Sequence, residues 1–323
     1  MEVIKINKND ITEIVSKCVG IIINESRHAL DVGVEKLISD IVNMTIGNKK
    51  YSNIRITPQR LEQYLPKRYF ERMFGIGYKF EDIDPLYIKF VDTLNSNEEG
   101  YYDYWRNIIF LKKYTDDLSD LDEKSIERIK KQTEITLSHE FSHFIDNNAQ
   151  NRLTHQPEWS YDEKKKIPQI VFDFIYYFNP TEIQARLNQY NTMLRLYPSV
   201  RKSFNSGEAA LRLNKMKMLL GQLLNLQYDK GGESTKIMSY LSYLTNFIDM
   251  QRQRYMNNDE TYNSLEYVSY LKQSMPVVDV RMITGKEFNK VRNTLYHTYK
   301  RRYEKMLKKA MKKQKDWSNG NQS

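Results

Sequence analysis

With 323 residues, 40% hydrophobic and 28% charged, the chain has the balance of a globular protein long enough for one large or two modest domains. Cys18 is its single cysteine, which excludes an internal disulfide and agrees with a reducing compartment. No apolar run approaches the roughly 20 residues of a membrane span, and Val19 to Ile23 is too short for a signal-peptide core, so neither a transmembrane segment nor secretion by a signal peptide is expected.

Asn9 and Asp10 offer a cap for a helix carrying Ile11, Ile14, Val15, Cys18, Val19 and Ile22, and a second stripe follows at Val34, Leu37, Ile38, Ile41 and Val42. Residues 1–50 therefore read as a helical N-terminal extension whose stripes face a core. His28 falls in this region with no assignable role. Two strand-like runs come next, Leu86-Tyr87-Ile88-Lys89-Phe90-Val91 and Asn107-Ile108-Ile109-Phe110-Leu111. The turn-rich stretch Asn95 to Gly100 lies between them, and they read as a hairpin in a small antiparallel sheet.

From Asp122 to Ile145 the apolar residues Ile126, Ile129, Leu137, Phe141, Phe144 and Ile145 recur at steps of three, four and their sums, with no Gly or Pro between them. This spacing predicts a long, half-buried helix. Ser119, followed three residues later by Asp122, offers its cap, and Asp120, Asp122 and Glu123 suit the positive end of the helix dipole. Its last turns carry His139-Glu140-Phe141-Ser142-His143. Histidines at i and i+4 of a helix share one face, so both rings reach one metal ion, and Glu140 is directed to the metal's open side.

A catalytic zinc ion takes three protein ligands and leaves a fourth position for water. A third histidine close behind the motif would need a glycine at 146 and a histidine near 149, where the chain has Asp146 and Ala149. Asp146 stands less than a turn after His143 and suits a role orienting a ligand imidazole through its other nitrogen. The remaining option is a glutamate on a separate helix. Asn179-Pro180 is a helix-start signal that places Glu182 in a first turn. Ala185 is small enough for close helix approach, and Arg186 lies one turn beyond Glu182, where it could orient a carboxylate or stabilise an oxyanion. His155, beside Gln156-Pro157, reads as a loop residue.

Ala209 to Leu226 carries Leu and Met at helical spacing, Gly231-Gly232 breaks it, and Ile237 to Met250 begins another helix after Ser234. Pro276 and Gly285 bracket Val277 to Ile283, which reads as a short strand. Residues 300–317 hold nine Lys or Arg against two acidic residues, so this segment supplies most of the net charge of +9. Tyr303, Met306, Leu307, Ala310 and Met311 among those lysines make it a basic amphipathic helix. Three roles suit it: a solvated terminal helix docked by its apolar stripe, an arm binding nucleic acid or a virion component, and a membrane-surface helix. The first is preferred, because no nucleic-acid-recognition motif accompanies the charge.

The combination of His139-Glu140-Phe141-Ser142-His143-Phe144-Ile145-Asp146, Tyr176-Tyr177 and Asn179-Pro180-Thr181-Glu182-Ile183-Gln184-Ala185-Arg186 resembles the glutamate-zincin (gluzincin) metallopeptidases. The likeness is to the compact group with a Glu-x-x-Ala-Arg helix, encoded by bacteriophages and mobile elements. It covers residues 86–190 and lies in short motifs. Tyr101-Tyr102-Asp103 before Asn107-Ile108 is similar to that family's lead-in to the edge strand that pairs with an extended substrate.

The resemblance implies an α+β, zincin-like fold in which a small antiparallel sheet packs on the HExxH helix. The metallopeptidase core would span residues 51–200, between the N-terminal extension and a helical C-terminal region, 201–323, ending in the basic helix. It implies one zinc ion per chain held by His139, His143 and Glu182, with Glu140 as general base in hydrolysis of a protein or peptide substrate. Arg186, Tyr190 or His297 would stabilise the oxyanion, although a surface or packing role is preferred for His297. Val3-Ile4-Lys5-Ile6 with Asp10 to Glu25 resembles a short leader on proteins of phages that infect Bacteroidetes-type bacteria. Location in the bacterial cytoplasm or in a phage virion would follow. The alternative is a virion structural or DNA-associated protein that keeps a zincin-like fold without turnover, against which stands a ligand set with no member missing.

Overall fold

The computed structural model describes residues 33–64, 84–94, 98–103, 105–148, 168–202, 208–256 and 283–319. The leader-like segment, the helix expected around Cys18, His28, His155 and all but Ile283 of the strand expected over Val277 to Ile283 lie outside the described residues, as does the side chain of Asp146. The described residues form eight α-helices and one small mixed sheet, an α+β architecture that is mostly helical. The chain divides into two compact units, Met1–Glu134 and Ile135–Ser323.

In the first unit, helix α1 (residues 33–45) buries Leu37, Ile38, Ile41 and Val42, the stripe expected from their spacing. Strand β1 (Ile54–Ile56) and the short helix α2 (Pro58–Tyr64) follow. Strands β2 (Leu86–Val91), β3 (Gly100–Asp103) and β4 (Ile108–Lys112) complete a sheet ordered β1-β2-β4-β3. The expected hairpin between β2 and β4 is not formed. These strands pair in parallel, with Tyr87 opposite Ile108 and Val91 opposite Lys112, so the sheet is mixed rather than antiparallel.

The hairpin is instead β3–β4, with Gly100 opposite Leu111 and Asp103 opposite Ile108. Its turn is fixed locally. Asp103 Oδ1 accepts the amides of Trp105 and Arg106 at 3.0 Å each, and Asn107 takes a left-handed φ of 55°. With β3 occupying one side of β4, β2 can join only on the other, where its direction is parallel. The unalternating run Ile108-Ile109-Phe110-Leu111 marks β4 as a strand buried on both faces, hence internal. The edge strands are therefore β1 and Gly100–Asp103, and the run beginning at Asn107 is internal.

Helix α3 (Glu123–Asn148) begins in the first unit and ends in the second. Its cap is Asp122, whose Oδ1 accepts the Ser125 amide at 2.7 Å; Ser119 is not the capping residue. The second unit contains the C-terminal turns of α3 and then α4 (Gln169–Phe178), α5 (Pro180–Leu196), α6 (Glu208–Asn225), α7 (Glu233–Met256) and α8 (Gly285–Ser318). The break expected at Gly231-Gly232 is present, with Gly231 at φ 72°. Behind it Asp229 accepts the amides of Ser234 and Thr235 at the start of α7.

One apolar core joins α4 to α8. It contains Val171, Phe174 and Phe178 of α4, Leu187, Tyr190 and Leu194 of α5, and Leu213, Met216, Leu219 and Leu223 of α6. Phe288, Leu295, Tyr299, Met306 and Ala310 of α8 are buried in the same core. The Tyr299 ring stands 4.9 Å from the rings of both Phe174 and Phe178. Burying each large side chain contributes about 1.5–3 kcal/mol. The basic helix is thus docked by its apolar stripe, with Arg301, Lys305, Lys308 and Lys312 on its solvent face. Met311, which the amphipathic pattern placed on that stripe, is 55% exposed.

Candidate metal centre

The second unit draws together residues from two helices. Helix α5 opens at Pro180, whose missing N–H costs nothing at a first helical position, and the Ile183 amide donates to Asn179 O at 2.9 Å. Glu182 is thereby held in the first turn. Ala185 is fully buried, as close helix approach requires. Asn188 of α5 donates through Nδ2 to Ser142 Oγ of α3 at 3.0 Å, and Ser142 Oγ donates in turn to Ser138 O at 2.8 Å. This bridge ties α5 to the turn of α3 that carries both histidines.

His139 Nε2 and His143 Nε2 stand 3.2 Å apart. His143 Nε2 lies 3.2 Å from Glu182 Oε1, and His139 Nε2 lies 3.8 Å from Glu182 Oε2. Ligand atoms 2.0–2.1 Å from a tetrahedral ion stand about 3.3 Å apart. The two shorter separations match that edge, and all three ligand atoms lie within 4.8 Å of one another. Without a cation, a proton on His143 Nε2 would face two acceptors at 3.2 Å, Glu182 Oε1 and His139 Nε2. A divalent ion satisfies all three at once. Among the described residues, no hydrogen-bond partner reaches the buried His139 Nδ1 or Glu182 Oε2. The donor set, two imidazoles and one carboxylate, fits zinc.

Electrostatics favour the ligand-ready protonation states. Burial pushes the His139 imidazole well below its ordinary value of 6.5, outweighing the opposing charge of Glu182. Burial alone would raise the Glu182 carboxyl, but the hydrogen bond from His143 and the neighbouring positive charge, that of Arg212 included, hold it far below the usual carboxylate range. A neutral imidazole and an ionised carboxylate are the forms that bind a metal.

Glu140 is buried on α3 between the two histidines in sequence. Arg186 donates through Nη1 to Gln189 Oε1 at 2.8 Å and through Nη2 to Tyr176 Oη at 2.9 Å, and its charge is felt at His139. Tyr190 lies two turns beyond Glu182 along α5, about 12 Å at 1.5 Å per residue, fully buried in the helical core. There burial raises its phenol to about 12. His297 is exposed on α8, the surface role preferred for it.

Arg212, which no motif indicated, is the charged residue that reaches this cluster from α6. Its Nη1 lies 3.8 Å from Glu182 Oε2, with the side chain 3% exposed. A sequence signal existed. Ala209, Leu213, Met216 and Leu220 form the buried stripe of α6, and position 212 falls on it, so a cation there must find compensation inside the protein.

No protein-family model, no curated protein and no solved structure matches the chain.

Proposed function

We propose that the chain is a zinc-dependent endopeptidase of the glutamate-zincin kind, acting on a protein or peptide. The observation that carries this reading is the convergence of His139 Nε2, His143 Nε2 and a Glu182 carboxylate oxygen, from two helices, at separations suited to one tetrahedral ion. A zinc ion held there supplies a Lewis acid and lowers the pKa of a bound water toward neutrality. Glu140, adjacent to the first ligand, accepts the proton of the attacking water and returns it to the leaving amine. Arg186, held by Gln189 and Tyr176, is the cation assigned to the developing oxyanion. Tyr190, enclosed in the core, supports α5 from behind. The zincin-like fold belongs to the same reading, supported by an α+β chain in which the sheet precedes the HExxH helix.

Metal content and turnover separate cleanly. Purified protein is expected to hold about one zinc per chain, lost in His139→Ala; metal-free protein at neutral pH defeats the site. Glu140→Gln is expected to keep the zinc and lose cleavage of an unstructured protein by about 10²–10⁴-fold. Undiminished cleavage by that variant removes Glu140 from the role of general base.

A further inference from the structure

Resting on the metal-site reading above, we infer that Arg212 is the positioning residue for the ligand Glu182, fixing both the carboxylate and the helix start that carries it. Three sets of contacts converge on its guanidinium. Nη2 donates to Tyr176 O at 2.5 Å, and the cation lies 4.9 Å from the centre of the Tyr176 ring and 5.2 Å from that of Tyr177. Nη1 faces Glu182 Oε2 at 3.8 Å. Tyr176 O belongs to the last turn of α4, where it also accepts the Asn179 amide at 3.4 Å, and only Asn179 separates that helix from α5. An arginine anchored on this carbonyl therefore sets the direction in which the chain re-enters a helix and presents Glu182.

The carboxylate is divided between two neighbours. Oε1 turns to His143, whereas Oε2 stands 3.8 Å from both His139 Nε2 and Arg212 Nη1. Arg212 thus stands behind the carboxylate, on the side of Oε2, and would leave Oε1 to face a bound ion. Buried as it is, it touches no substrate. A buried guanidinium is costly unless its charge is met, and Glu182 with the two tyrosine faces meets it. The device is reciprocal: the arginine orders the ligand, and the ligand compensates the arginine. Outer partners of metal ligands support affinity in this way, and their removal costs about 10–100-fold.

The test is zinc affinity, measured by competition with a chromophoric chelator on the full chain and independent of any peptidase assay. Arg212→Gln is expected to weaken zinc binding by about 10–100-fold, with far-UV circular dichroism and a cooperative melt showing a folded protein. In a Glu182→Gln background, which leaves two imidazoles and weaker binding measured with zinc in excess, the same substitution is expected to add nothing. A purely structural arginine would cost as much in either background. Arg212→Lys keeps the cation without the planar fork and is expected to lose less than the glutamine variant. If the glutamine variant does not fold, the lysine variant carries the same cycle. Wild-type affinity in the Arg212 variants, or a loss undiminished by Glu182→Gln, overturns the inference while leaving the metal site standing. A wild-type chain that binds no zinc removes both.

Discussion

Two buried groups, His139 and Glu182, give the site its dependence on pH. His139 is neutral in the fold at pH values where an unfolded histidine carries a proton, because burial lowers its pKa from 6.5. The unfolded chain therefore binds more protons as pH falls through 6.5, and metal-free protein loses stability on acidification. Glu182 acts in the same direction lower down: its depressed pKa contributes stability above 4.5 that is lost as pH falls toward the folded value. The melting temperature of chelator-treated protein is expected to fall between about pH 8 and about pH 5, with a shallower fall for His139→Asn, which has no titrating ring. A flat profile in the parent protein contradicts the account. At this scale the motif was legible, since His139, Glu140 and His143 are placed by helix periodicity, and Glu182 by the Asn-Pro start of α5. Arg212 was not, because its partner lies 30 residues away in the sequence, and only its position on an apolar stripe hinted at burial.

Among elements, α8 shows that charge alone says little about place. Nine basic residues left three roles open, with docking by the apolar stripe preferred, and Phe288, Leu295, Tyr299, Met306 and Ala310 of the same helix sit in the central core. Arg302 also donates to Phe178 O at 3.4 Å, at the end of α4. Deletion of residues 285–323 is expected to abolish both zinc binding and cooperative melting of the second unit, read by metal analysis and calorimetry. Tyr299→Ala, which empties the space beside Phe174 and Phe178, is expected to cost about 3–5 kcal/mol by denaturant titration, as for other large aromatic truncations. By contrast, joint replacement of Arg301, Lys305, Lys308 and Lys312 by Gln is expected to change stability by less than about 0.5 kcal/mol per site. The sheet tells a related story. The positions of β2 and β4 were readable from β-branched runs, those of β1 and β3 were not, and the parallel pairing of β2 with β4 depends on which strand is central, a choice made by the β3–β4 turn.

For the whole molecule, the helical second unit brings a candidate ligand set together from two separate stretches of sequence. A metal bound only by the folded form adds RT ln(1 + [L]/Kd), about 4 kcal/mol when free zinc is a thousandfold above Kd. Zinc addition to chelator-treated protein is expected to raise the calorimetric transition of the second unit and to have no effect in His143→Ala. Equal shifts in both proteins would place the metal elsewhere. The α+β class and the helical character of the C-terminal region were readable from periodicity. That the region contributes to the site was not, because local patterns say which face of a helix is apolar and nothing about which helix covers it.

The order of synthesis gives the depth of α8 in the core a further meaning. Glu182 emerges about a hundred residues before the helix Gly285–Ser318 that closes the core over α4, and domains fold as units once their parts are made. A chain still being translated holds all three ligands without the support that orients them. If the proposed hydrolytic reading holds, the centre would therefore mature late, after the polypeptide it could attack most easily, its own unfolded length, has been folded out of reach.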